Sequence, residues 1–190
     1  MQELKERILA EGKNLGGGIL KIDGILNHQM DSALMAAMGK EIAQRFSEDR
    51  VDRILTAEVS GIGPALMAGV ELNIPVVYAR KHKPITMQEP VFIETAPSHT
   101  KGSEINLMVS PEFLHAGERI LIVDDFLASG KTIYALAQIV QRAGAELVGV
   151  VCVVEKTFEG GRDYLKPLGT RIEALATIVS MEDGKIVFAD

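Results

Sequence analysis

Arg119-Ile120-Leu121-Ile122-Val123-Asp124-Asp125-Phe126-Leu127-Ala128-Ser129-Gly130-Lys131-Thr132 is the stretch whose reading decides the fold. Ile120 to Val123 is an apolar run rich in β-branched side chains. Such a run reads as a strand buried on both faces, the usual situation in a parallel sheet. Two carboxylates, Asp124 and Asp125, follow at its carboxyl end. A turn of small residues comes next, Ala128 to Thr132. A helix then begins, with Ile133, Leu136, Ala137 and Val140 on one face.

That order carries chemistry. In open α/β sheets ligands bind at the carboxyl ends of strands. A turn of small residues lets backbone N–H groups approach an anion, and the N-terminus of the following helix adds partial positive charge. Ala128, Ser129, Gly130, Lys131 and Thr132 therefore form a candidate phosphate cradle. The hydroxyls of Ser129 and Thr132 can donate to the same phosphate or cap the helix. Asp124 and Asp125 would repel phosphate but accept hydrogen bonds from sugar hydroxyls. A phosphate site beside a hydroxyl site describes a ribose 5-phosphate. A bare structural turn would leave two adjacent acids at a buried strand end without partners, which is costly. Gly130-Lys131-Thr132 is no nucleoside-triphosphate loop, because that motif needs Gly where Asp125 stands.

The rest of the chain supplies the other strands. Residues 2–11 read as an amphipathic helix with Leu4, Ile8 and Leu9 inward. Asp31 reads as the N-cap of a helix whose core stripe is Leu34, Met38, Ile42 and Phe46. A strand from Arg53 ends near Glu58. The turn Ser60-Gly61-Ile62-Gly63-Pro64 leads into another helix, and Pro75–Arg80 is a short strand. This alternation predicts an α/β fold with a doubly wound, mainly parallel sheet. Within 81–118 the rhythm breaks at Pro84, Pro90, Pro97 and Pro111. Two alternating segments there, Val91–Thr95 and Glu104–Val109, predict a β-hairpin flap over about 81–115. Leu147–Val154 is a further buried strand. Arg162–Leu168 is a short helix, Arg171–Val179 and Lys185–Phe188 are closing strands, and Glu182 and Asp183 are turn residues.

A second loop at a strand end, Glu58 to Gly63, has glycines that permit close backbone approach, so Ser60 and Gly61 are candidates to hold a second anion. Arg80-Lys81-His82-Lys83 is the densest positive cluster in the chain. Although such runs are usually solvated, this one ends a strand and opens the flap. Lys156 follows a buried strand beside Glu155 and can donate to an exocyclic oxygen. Asn27 offers both a donor and an acceptor. His28, His82, His99 and His115 show no metal-ligand spacing.

Val123 through Thr132 resembles the signature for 5-phosphoribosyl 1-pyrophosphate (PRPP) in type I phosphoribosyltransferases. Further similarity to one branch of that family runs through Ile19–Asp23, Leu26–Gln29, Ser60–Ile62, Ala79–Lys83 and Val154–Lys156, and extends over essentially the whole chain. The resemblance implies one domain over residues 1–190, with a small hood from about 1–30 and 156–190. It implies transfer of the 5-phosphoribosyl group of PRPP to a purine, with xanthine as acceptor, in purine salvage. Asp124 and Asp125 are then the catalytic pair at the sugar. Ala128 to Thr132 bind the 5-phosphate, and Ser60, Gly61, Arg80 and Lys81 bind pyrophosphate, with Arg80 and Lys81 acting across a homodimer interface. Leu20, Asn27 and Lys156 contact the base. Mg²⁺ would travel with PRPP, with no protein ligand for the metal, and guanosine tetraphosphate would compete for the PRPP site. One departure is informative: hypoxanthine-guanine enzymes carry an acid where Ala128 stands, so this loop offers no obvious general acid or base.

Composition narrows the classes. The chain has 190 residues, 47% apolar, which suits one domain with a real core. Net charge of −6 argues against nucleic acid as a partner. No stretch is long enough to span a bilayer, and charges at Glu3, Lys5, Glu6 and Arg7 interrupt any signal-like segment. The single cysteine, Cys152, lies in an apolar run and reads as a core thiol, in keeping with a reducing cytoplasm. Two alternatives stay open: transfer to guanine, hypoxanthine or adenine, and a PRPP-sensing purine regulator without catalysis. The regulator needs a DNA-binding module, and the sequence shows no winged-helix pattern or basic face.

Overall fold

A computed structural model describes residues 1–97 and 104–189. His99 lies outside them. In chain order the elements begin with α1 (Gln2–Glu11), the short antiparallel pair β1 (Lys13–Asn14) and β2 (Leu20–Lys21), and a single π-turn, Asp23–Asn27. Then come α2 (Ser32–Arg45), β3 (Arg53–Ala57), α3 (Ile62–Leu72), β4 (Val76–Ala79), and the hairpin β5 (Phe92–Pro97) and β6 (Glu104–Val109). The chain continues through β7 (Arg119–Leu127), α4 (Lys131–Arg142), β8 (Glu146–Lys156), α5 (Gly161–Leu165), β9 (Ile172–Ser180) and β10 (Val187–Phe188).

Six strands form the central sheet in the order β10-β9-β8-β7-β3-β4. All neighbours are parallel except β10, which runs antiparallel to β9. The strand order reverses between β3 and β7. From β3 the chain moves outward to β4, and from β7 it moves the other way through β8 to β9. The expected doubly wound sheet is therefore present, with its switch point between β3 and β7.

Both faces of β7 are covered. Leu121 and Val123 pack with α2 and α3 residues such as Met38, Ile42 and Ala65. Ile120 and Ile122 pack with α4 residues such as Ile133, Leu136 and Val140. A strand with period-2 side chains can face two cores only if every position is apolar, which is what Ile120 to Val123 supplies. Cys152 is fully buried in the second core. Asp31 caps α2, its carboxylate accepting from the Leu34 N–H at 3.1 Å.

Two local expectations change. Leu4 and Ile8 are fully buried, but Leu9 is 57% exposed. The i, i+4 pair shares one helix face and Leu9 lies about 100° further round. Strand β7 also runs on through Leu127, so the acids lie within it, Asp124 opposite Cys152 and Phe126 opposite Val154.

The terminal segments are stitched together. The Asn14 side-chain amide donates to the carbonyls of Met181 (2.7 Å) and Lys185 (3.1 Å), and Lys5 Nζ donates to the Ala189 carbonyl at 2.6 Å. The hairpin returns to the sheet through Arg80, whose backbone exchanges two 2.9 Å hydrogen bonds with Met108.

Ile122→Ala should lower unfolding free energy by about 2–5 kcal/mol, since it empties a packed site between sheet and helix. Leu9→Ala should stay within about 0.5 kcal/mol. Urea denaturation of both variants checks the pair.

Candidate active site

A cleft of about 630 Å³ opens at the switch point. Its two walls are the segments that leave the carboxyl ends of β3 and β7. On the β7 side, Ala128, Gly130, Lys131 and Thr132 line it, with Ser129, half-buried, in the same turn. Gly130 is the N-cap of α4 and has φ +78°, a left-handed value that favours glycine. Neither Ser129 nor Thr132 therefore occupies the capping position. The turn leads into a 12-residue helix whose N-terminal N–H groups and dipole favour an anion.

On the β3 side, Glu58, Val59, Ser60 and Gly61 line the cleft, and Gly61 is the N-cap of α3. A Cβ on Gly61 would stand 2.3 Å from Thr56 Oγ1 and 3.0 Å from Asp124 Oδ1. The loop can press this close to the acid only because residue 61 has no side chain.

Asp124 and Asp125 stand between the walls in different surroundings. Asp124 is 5% exposed, and its Oδ1 accepts from the Asp125 N–H at 3.0 Å. Burial, and then the neighbouring Asp125 charge, push its pKa well above the ordinary carboxyl value, with Lys81 acting in the opposite sense. Asp125 is only half-buried. Its Oδ1 accepts from the Phe126 N–H at 2.9 Å and its Oδ2 from Asn27 Nδ2 at 3.2 Å. The same Asn27 nitrogen donates to Ser60 Oγ at 3.0 Å. Asn27 thus ties the π-turn to both walls, a role that spacing could not suggest.

At the far end lie Leu20 and Lys156. Lys156 Nζ donates to the Gly18 carbonyl at 3.0 Å, pairs with Glu159, and sits 5.6 Å from the centre of the Phe126 ring. Phe126 and Ile105 also line the cleft and were missed as site residues by sequence reasoning. Strict strand alternation did not place Phe126, which packs on the α2–α3 side with Val123 rather than on the α4 side with Ile122. Ile105 belongs to the hairpin, and only the folded chain brings it here.

The positive cluster divides. Lys81 lines the cleft, its backbone N–H donating to Glu58 Oε1 at 2.6 Å. Arg80 does not. Its Nε lies 2.9 Å from Glu58 Oε2, an ion pair without hydrogen-bond alignment, and its guanidinium is 5.8 Å from the Tyr78 ring centre. Arg80 faces a separate hollow of about 330 Å³ that it shares with Tyr78, Met87, Val109 and Phe113. Adjacent strand residues point to opposite faces, so Arg80 and Lys81 part where the strand ends. No group of three or more His, Cys, Asp or Glu suited to hold a metal occurs among the described residues.

Comparison with known proteins agrees with this geometry. The phosphoribosyl transferase domain family matches residues 25–177. The chain is 45% identical over 188 residues to the xanthine phosphoribosyltransferase of Bacillus cytotoxicus, covering 99% of this chain and 95% of that one. It is 47% identical over 184 residues to the xanthine phosphoribosyltransferase of Deinococcus deserti, covering 97% and 95%. Among solved structures, the adenine phosphoribosyltransferase of Rhodothermus marinus superposes with a TM-score of 0.76 at 22% identity, over 94% of this chain and 100% of that one. The adenine phosphoribosyltransferase of Thermoanaerobacter pseudethanolicus gives 0.75 at 22% identity, over 92% and 99%. These two share the fold. The family match and the near full-length relatives place this chain in the phosphoribosyl transferase family.

Proposed function

We propose that this protein transfers the 5-phosphoribosyl group of PRPP to N9 of xanthine, giving xanthosine 5-monophosphate and pyrophosphate, as a step of purine salvage. The observation that carries the reading is the meeting, in one cleft, of the Ala128–Thr132 turn at the α4 N-terminus with the Asp124–Asp125 pair. The relatives named for xanthine support the choice of base.

In this reading the turn holds the 5-phosphate and the two acids hold the ribose hydroxyls. The N9 lone pair forms the bond to C1 while pyrophosphate leaves with the electrons of the C1–O bond, and the imidazole-ring proton of xanthine passes to water or to the departing pyrophosphate. Positive charge develops on the sugar as that bond breaks, and the Asp125 carboxylate stabilises it by proximity in a cleft of reduced dielectric, while Asp124 holds a ribose hydroxyl in the neutral form that its burial favours. Ser60, Gly61 and Lys81 receive the pyrophosphate. Lys156, Leu20 and Phe126 hold the base, with the Lys156 ammonium directed to a purine oxygen. Asn27 orients Ser60 and Asp125 from the base side. Mg²⁺ carried by PRPP would neutralise charge on the leaving pyrophosphate, and the acidic pair favours a cation nearby. Arg80 acts from the hollow it shares with Tyr78 and Phe113, the face on which a second copy of the chain would pack to make a homodimer. The terminal segments make the hood over the base, within a single domain. Guanosine tetraphosphate, bearing pyrophosphate groups, would compete at the same walls. The enzyme works in the cytoplasm; no helix among the described residues is long and apolar enough to cross a membrane.

Pyrophosphate release from PRPP should require a purine and give a higher kcat/KM with xanthine than with guanine, hypoxanthine or adenine. Tight PRPP binding without turnover on any base would favour a regulator instead. Asp125→Asn should keep the fold and lower kcat by about 100-fold or more, as expected when one preorganised electrostatic group is removed. Asp124→Asn should lower turnover yet raise thermal stability. The folded Asp124 keeps its proton where the unfolded chain, with a pKa of about 3.9, has lost it. Through that window the unfolded state binds fewer protons, so wild-type stability falls as pH rises. The variant's gain in Tm should therefore be larger at pH 7 than at pH 4, which scanning calorimetry at the two pH values would read.

A further inference from the structure

Helix α5, Gly161–Leu165, lies directly behind the phosphate turn, and none of its residues lines the cleft. A Cβ on Gly161 would stand 2.2 Å from the Ala128 carbonyl oxygen, 2.7 Å from Leu127 Cδ1 and 2.9 Å from the Gly130 nitrogen. The reverse holds as well: a Cβ on Gly130 would stand 2.9 Å from the Gly161 carbonyl oxygen and 3.1 Å from Leu165 Cγ. Backbone rests on backbone here, flanked closely by the Leu127 and Leu165 side chains.

Three anchors hold the helix in that place. Arg162 grips Glu155 with two parallel hydrogen bonds, Nε to Oε1 at 2.7 Å and Nη2 to Oε2 at 2.6 Å, and its Nη1 donates to the Ile172 carbonyl at 2.8 Å. Tyr164 meets Tyr134 of α4 edge to face, with ring centres 5.3 Å apart. Leu165 is fully buried. Glu155 is 2% exposed, touches no part of the cleft and takes no part in the chemistry above. A buried carboxylate is retained against its desolvation only with a partner such as this two-pronged guanidinium.

We infer that α5 is the back wall of the phosphate turn, locked by the Glu155–Arg162 pair, so that Gly161, Arg162 and Glu155 are positioning residues for the 5-phosphate of PRPP. The inference rests on the reading of the turn as the 5-phosphate site. Glu155 precedes Lys156 on β8, so one strand end positions the phosphate cradle through Arg162 and presents a lysine to the base.

The test separates the two walls of the cleft. An ångström of misplacement can cost on the order of 100-fold in rate or affinity, and a cradle shifted but still present should cost about tenfold. Gly161→Ala should raise the KM for PRPP and weaken ribose 5-phosphate binding by about tenfold, while pyrophosphate binding, the KM for xanthine and kcat stay within about twofold. Arg162→Lys keeps the charge but loses the fork. Its guanidinium is part-exposed, so the substitution is tolerated by the fold, and it should shift the same two quantities by about threefold, with Arg162→Met shifting them more. If Gly161→Ala proves unfolded by circular dichroism, the Arg162 pair decides alone. Equal losses for ribose 5-phosphate and pyrophosphate, or unshifted constants in an active wild-type background, overturn the inference. A wild-type chain that binds neither ligand overturns the functional reading and this inference with it.

Discussion

Strands β3 and β7 run side by side for only three paired positions, Arg53 with Ile120, Ile54 with Leu121 and Leu55 with Ile122. Beyond Leu55 the ladder stops. β3 stays paired with β4 as far as Ala57 and Ala79, and β7 stays paired with β8 as far as Leu127 and Glu155. The two inner strands thus part company before either ends, each held by its outer neighbour. The crevice between them is a consequence of this short ladder. Reversal of strand order between β3 and β7 makes such a parting unavoidable, because the chain leaves the two parallel strands toward opposite edges.

What fills the crevice follows from electrostatics. Two helices begin at its rim, α3 after Gly61 and α4 after Gly130, so two N-termini face one space. Their partial positive charges favour anions. The Asp124 and Asp125 carboxylates at the same place oppose anions and favour hydroxyls or developing positive charge. A ligand that satisfies all of these groups must be anionic at its ends and hydroxylated or cationic between them. The protein bears a cost for this arrangement: Asp124 is buried, no salt bridge to it occurs among the described residues, and its carboxyl is pushed toward the neutral form. Such conflict between local stability and arrangement is the expected mark of a working site.

The fold was largely legible, and the site was legible along the strands more than across them. The core stripe of α2, the cap at Asp31 and the doubly buried run of β7 are local patterns, and each appears where the pattern put it. Leu9 shows the limit of such patterns, since apolar character does not say which side of a narrow stripe a residue falls on. Arg80 shows another: it shares a charged run with Lys81, but the strand end sends it to a different hollow. Asn27 and Ile105 reach the cleft from a π-turn and a hairpin, segments whose path depends on contacts far away in sequence.

The sequence by itself determined the α/β class, the parallel strand that carries two acids into a small-residue turn, and the chemical kind of ligand that such a turn and acid pair can hold. These are consequences of periodicity and of side-chain chemistry, which act within a dozen residues. Only the tertiary structure decided that the Glu58–Gly61 loop and the Ala128–Thr132 turn share one cleft, that Asn27 bridges them, and that α5 backs the turn through Gly161. Those facts depend on which strands become neighbours and where their ladder stops, and that outcome is set by the packing of the whole sheet and its helices.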